Sequence, residues 1–174
     1  MPHDHVHEVL EQWRRELPEL DRAPMAIVGR ISRLAQLLQD EVEPVFARYD
    51  LNGGEFDVLA ALRRSGKPYR LTPSELSRSL MVTSGGMTKR LRALEERGLL
   101  TRTGDPRDAR SKQVTLTPEG VRLTEEAVAA HTANEARLLA GLPKARRAEL
   151  ATLLEELALA LGDETRPSSR HLRR

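Results

Sequence analysis

Residues 104–112 read GDPRDARSK, three Lys/Arg and two Asp in nine positions, opened by a glycine and a proline. Guanidinium and ammonium groups donate to phosphate or carboxylate oxygens, and acids set among them hold them in place. The stretch ends a longer basic segment. From Ser84 to Lys112 there are eight basic residues (Lys89, Arg90, Arg92, Arg97, Arg102, Arg107, Arg110, Lys112) against four acids. That segment carries +4 on a chain of net charge +2, which leaves −2 for the remainder. A local basic patch on a near-neutral molecule is the electrostatic footprint of nucleic-acid binding.

Catalytic constellations are missing from the sequence. Without cysteine there is no thiolate nucleophile, thiolate zinc site or disulfide. There is no glycine-rich phosphate loop and no Ser/His/Asp spacing, and Glu95 and Glu96 are helix neighbours that point apart. Neither an enzyme nor a cofactor is expected. His3, His5 and His7 in HDHVH alternate near the chain start with no second cluster, so this reads as an unstructured leader and no metal site is expected. No apolar run approaches the roughly 18 residues that span a bilayer. MPHDHVHEVLEQW lacks the basic and apolar regions of a signal peptide, so the expected location is the cytoplasm, with no membrane partner.

The elements that must position the basic segment follow from apolar spacing. A helix is predicted over 6–17 (Val6, Val9, Leu10, Trp13, Leu17), ended by Pro18. A longer one runs from about 24 to 48, with Pro44 expected to kink or weaken it near Asp40. After the break Asn52-Gly53-Gly54, a short helix bearing Phe56, Leu59 and Leu62 closes on Gly66 as a left-handed cap. Thr72, Pro73 and Glu75 form a helix start with a capping box, opening a helix over 73–80. The turn MVTSGG leads to a helix over 84–97 with Met87, Leu91 and Leu94 inward. LLTRT and QVTLT make a hairpin whose tip is GDPRDARSK. Two helices rich in Ala and Leu, about 118–140 and 143–161, follow as antiparallel neighbours, and the polar end of the chain is a mobile basic tail.

The expected fold is therefore mainly α with a small β-hairpin wing, a winged helix-turn-helix. Residues 1–50 hold an extra N-terminal helix and a first dimerisation helix, 51–117 the DNA-binding lobe, 118–161 the C-terminal dimerisation helices and 162–174 the tail. The second helix of the unit fits a major groove roughly 12 Å wide. Thr83, Ser84, Thr88, Lys89, Arg90 and Arg92 are its DNA-facing candidates, with Gly85 and Gly86 allowing close approach. The wing would carry Arg107, Arg110 and Lys112 to the flanking minor groove, where negative potential favours arginine. Two helices at each end exceed what one small lobe needs, so a homodimer on a palindromic double-stranded operator is expected. A winged-helix protein-interaction module that reads no DNA is the alternative, and Lys89, Arg90 and Arg92 argue against it.

The stretch TSGGMTKRLRALEERGLLTRTGDPRDARSKQVTLTPEG closely resembles the multiple-antibiotic-resistance regulator (MarR) family of winged helix-turn-helix repressors. LEERGLL and the wing pattern Asp105-x-x-Asp108-x-Arg110 are its most specific parts, and the helix order extends the likeness over nearly the whole chain. The resemblance implies a homodimer with interleaved terminal helices, and acids at Asp105 and Asp108 that brace the wing while Arg107 or Arg110 enters the minor groove. The N-terminal helix bearing Trp13 further resembles the urate-responsive, PecS-like branch, which includes aconitate-responsive relatives. That likeness implies an anion site on Trp13, Asp57, Arg64 and Arg90, with urate, citrate or aconitate as ligand classes. Asp57 and Arg64 are seven apart, which puts them on one helix face. Each has a plainer reading: Trp13 as core, Asp57 as a surface partner of Arg63 or Arg64, and Arg90 as a phosphate contact.

Overall fold

A computed structural model describes residues 2–80, 86–105 and 108–163, with only the backbone for Asp105 and residues 108–111. Thr83, Ser84 and Arg107, the side chains of Asp105, Asp108 and Arg110, and the expected tail from 164 onward lie outside the described residues. Seven helices and three strands follow in order: α1 His5–Glu16, α2 Ala23–Ala47, α3 Gly53–Arg64, β1 Arg70–Leu71, α4 Pro73–Ser79, α5 Met87–Glu96, β2 Leu100–Asp105, β3 Asp108–Leu116, α6 Pro118–Leu138 and α7 Lys144–Ala160. This is the mainly α, winged architecture the sequence leads one to expect. The chain forms two compact units, residues 1–132 and 133–174, and α6 runs from the first into the second.

In the first unit, Val58, Leu59, Leu62, Leu76, Leu94, Leu100 and Val114 are essentially inaccessible, so α3, α4, α5 and the sheet share one core. The sheet is antiparallel in the order β1-β3-β2. Leu100 pairs with Leu116 and Gly104 with Lys112, and a register shift follows between Gly104 and Asp105, at the wing tip. β1, too short to carry a period, pairs Arg70 with Thr115 and Leu71 with Val114. Phe46 of α2 stacks on Phe56 of α3 at 4.1 Å, and the His131 ring of α6 packs 5.0 and 5.1 Å from the two.

Local signals explain most helix ends. Thr72 accepts from the Glu75 amide at 3.2 Å and Glu75 returns the bond to the Thr72 amide at 2.9 Å, the expected capping box. Asn52 and Glu55 repeat the device at α3. Gly66 adopts φ +79°, the left-handed cap anticipated for it. The first turn of α6 is fastened to the corner after α5: Thr117 Oγ1 donates to the Gly98 carbonyl at 2.7 Å and its amide to Leu99 at 3.1 Å. A methyl on Gly120 would fall 1.9 Å from the Leu99 carbonyl oxygen, so only glycine permits this approach.

One expectation is corrected. HDHVH is not an unstructured leader: Asp4 caps α1 by accepting from the His7 amide at 2.8 Å, and pairs with Arg30 Nε at 2.7 Å, while His3 and His7 stack at 3.9 Å. α2 runs without a break through Pro44 to Ala47. Pro44 cannot donate to the preceding turn, but burial of Val45 and Phe46 holds the last turn in place.

Large apolar side chains also stay outside. On α2, Ile27, Ile31, Leu34 and Leu38 recur at helical spacing and are 37–60% exposed. In the second unit α7 buries none of its residues, and Leu150, Leu153, Leu154 and Leu157 form one stripe along it. Among the described residues, no helix is long and apolar enough to cross a membrane.

Candidate nucleic-acid interface and anion site

α5 begins after Gly86 in a left-handed conformation and turns Leu91 and Leu94 into the core. Its 3.6-residue period then places Thr88, Lys89 and Arg92 outward, and all three are exposed. Arg92 Nε donates to Glu96 one turn on, at 2.7 Å. Arg90 is different. Its guanidinium turns toward α3, where a methyl on Gly54 would lie 2.5 Å from both Cζ and Nε. Of the four basic or hydroxyl candidates described on this helix, three share the outer face and Arg90 does not.

Two further cations of the basic segment are structural. Arg97 reaches across to the end of α2, donating to the Asp50 carbonyl at 2.6 Å and to Tyr49 at 3.1 Å. Arg102, on β2, is held by Glu95 of α5: its amide donates to Oε1 at 3.1 Å, its Nε to Oε2 at 2.8 Å, and its Nη2 to the same oxygen. That bond keeps the Glu95 carboxyl below its ordinary value, with Lys112 adding a smaller pull in the same direction. Glu95, Arg102, Thr103, Gly104 and Lys112 line a hollow of about 200 Å³ between α5 and the wing. Sequence reasoning missed both tethers. Glu95 and Arg102 are joined across a helix–strand corner, and Arg97 meets backbone carbonyls, so neither link follows a helix or strand period.

The expected anion residues come partly together. Asp57 is 7% exposed, and Arg64 Nη1 stands 3.9 Å from its Oδ1. The same guanidinium donates through Nη2 to the Ser79 carbonyl at the end of α4. Gly54, where Arg90 rests, lies one turn before Asp57 on α3. One nearly buried carboxylate and two guanidiniums therefore border the same side of α3. Trp13 is on α1, which packs against α2, with its side chain 39% exposed. No contact between it and the other three is among those described.

The sequence pattern of the MarR family matches residues 49–111, from the end of α2 to the wing. The chain is 38% identical over 149 residues to the HTH-type transcriptional regulator PecS of Dickeya dadantii, covering 86% of this chain and 90% of PecS. A MarR-like transcription regulator from Bacillus cereus superposes with a TM-score of 0.73 over 82% of this chain and 100% of its own, at 20% identity. BpsR of Bordetella bronchiseptica, whose DNA binding is regulated by 6-hydroxynicotinic acid, superposes with a TM-score of 0.67 at 26% identity, over 76% of this chain and 92% of its own. Fold, helix order and relatives agree. The chain belongs to the MarR family as a PecS-like, DNA-binding transcriptional regulator, and it is not an enzyme.

Proposed function

We propose that the protein is a homodimeric cytoplasmic repressor that grips a palindromic operator and releases it when a small anion reaches Asp57, Arg64 and Arg90. In this reading Thr88, Lys89 and Arg92 of α5 enter the major groove with Thr83 and Ser84. Arg107, Arg110 and Lys112 follow the wing to the minor groove, braced by Asp105 and Asp108. The exposed apolar faces of α2 and α7 support dimerisation, because patches of this kind on a folded chain mark an interface.

The observation that carries the proposal is the double engagement of Arg64. One guanidinium faces the Asp57 carboxylate and also donates to the Ser79 carbonyl, the last residue of the helix that precedes the recognition turn. An anion carrying carboxylate or planar acceptor groups draws both arginines toward itself, since Arg forks onto such groups. Taking Arg64 from Ser79 loosens the α4 end, and moving Arg90 acts directly on the DNA-reading helix. Trp13 is the fourth member the branch likeness assigns. It is also the chain's sole tryptophan, so its fluorescence reports whether the anion reaches α1. The regulation of BpsR by an aromatic carboxylate supports the ligand class.

The test is gel retardation of DNA from upstream of the protein's own gene, at low salt, with urate, xanthine, citrate, aconitate or 6-hydroxynicotinate added. Retardation weakens steeply with salt, because phosphate contacts displace counterions. At least one anion releases the DNA and raises the protein's melting temperature by mass action, and Arg64→Ala blunts both effects. A protein that retards no such fragment, or one indifferent to every anion, refutes the corresponding half of the reading.

A further inference from the structure

α3 packs against both α2 and α5, and one side chain also joins those two directly. Arg97, at the C-terminal end of α5, forks onto two successive carbonyls just beyond α2, Asp50 at 2.6 Å and Tyr49 at 3.1 Å. We propose, on the homodimeric reading above, that this bridge sets the angle at which α5 is presented to DNA. Arg97 is thereby a positioning residue that fixes which half-site spacing the dimer accepts.

The end of α2 invites a cation. The last carbonyls of a 25-residue helix carry the negative end of its dipole, and the last turn of α2 holds no basic side chain of its own. Asp50 takes a left-handed φ of +53°, turning the chain back toward α3. A planar guanidinium meets two neighbouring carbonyls as a fork, where an ammonium is only a point donor. Arg97 is fixed at its own end too, since its amide donates to the Ala93 carbonyl at 3.2 Å and closes α5. The junction has a third arm: the Tyr49 hydroxyl donates to the Glu126 carbonyl of α6 at 3.3 Å. Tyr49 thus gathers the recognition helix and two of the helices expected to join the copies. Dimeric readers bind half-sites about one helical turn apart, so one added base pair rotates one half-site against the other by about 35°. A recognition helix locked to α2 and α6 cannot follow that rotation, and one released at this junction can.

The experiment takes the operator that footprinting locates upstream of the protein's own gene, in native form and with one base pair inserted or removed at its centre. Retardation by the full-length protein is measured on each. Wild type binds the altered operators about tenfold more weakly, as for a mismatched contact. In Arg97→Ala that penalty falls to about twofold, the remainder expected of uncoupled parts, and the salt slope on the native operator stays that of wild type. Arg97 is exposed, so its truncation leaves the core untouched. Tyr49→Phe keeps the packed ring and deletes the bond to α6, and it relaxes the spacing in the same direction by a second route. An unchanged penalty in Arg97→Ala overturns the proposal, as does an unchanged penalty in Tyr49→Phe should Arg97→Ala fail to fold. A salt slope lowered by about one in Arg97→Ala also overturns it, because that is the signature of a lost phosphate contact. These outcomes leave the homodimeric reading standing. A wild type indifferent to the spacer removes that reading, and the role of Arg97 with it.

Discussion

Arg90 shows how much a single side chain's direction can alter a reading. By residue type and position on α5 it is a phosphate contact, yet its guanidinium rests on Gly54. Nothing in the local sequence marks this, because the α3–α5 contact depends on how two helices pack. The Asp57–Arg64 pairing was legible, since a spacing of seven returns to one helix face whatever the tertiary fold. Gly54 makes the resting place of Arg90, and Gly54→Ala tests it. The added methyl pushes the flexible guanidinium aside at little cost to the fold, and alanine favours a helix by about 0.5–1 kcal/mol over glycine. The melting temperature should therefore hold or rise slightly, while the anion concentration needed for half-release of DNA changes severalfold. Unchanged anion response with unchanged stability would remove Arg90 from the site.

At the scale of elements, caps and apolar periods located nearly every helix, and what escaped was set by partners. β1 is two residues long and exists because β3 offers it a neighbour. α1 begins at His5 because Asp4 both caps it and meets Arg30, twenty-six residues away. Thr72→Ala removes one half of the α4 capping box and should cost about 1 kcal/mol, lowering the melting temperature by ~2–4 °C for a chain of this size. The joint between α5 and β2 rests on Glu95 and Arg102 and has a pH signature. Arg102 depresses the Glu95 carboxyl below its ordinary value of 4.5 in the folded state. A group depressed by folding contributes stability that is complete above its unfolded pKa and is lost as pH falls through the folded one. Wild type should thus lose melting temperature faster than Glu95→Gln as pH drops below about 4.5, and the two should run parallel near neutrality. Parallel curves throughout would mean that the bond contributes nothing to stability.

For the whole molecule, the question is what covers the outer leucines. The sequence already implied surplus helices at both ends, and the structure gives the apolar stripes on α2 and α7 their residues. Which surfaces of two copies meet is not written in either stripe, because both are amphipathic in the same way. A fully buried leucine is worth about 1.5–3 kcal/mol, so Leu154→Glu in the middle of the α7 stripe should halve the mass seen by sedimentation and abolish high-affinity retardation, while leaving the helical circular dichroism largely intact. A variant that keeps its mass would remove the α7 stripe from the proposed contact between copies. The basic segment was legible from charge alone, but its division of labour was not. Among the described residues of that basic patch, Arg92, Arg97 and Arg102 hold carboxylates or carbonyls of the protein itself, and Arg90 rests on Gly54.

The bond from Arg64 to the Ser79 carbonyl carries one more consequence. In the proposed function a single guanidinium serves both that carbonyl and the anion, which makes Ser79 an internal competitor whose hold would set the dose of the response. Each ~1.4 kcal/mol added to that hold raises the threshold about tenfold, and the same increment removed makes the protein respond to a tenth as much. Relatives could thus be tuned to scarce or abundant metabolites by changes around α4 alone, without altering any residue that touches the ligand or the operator.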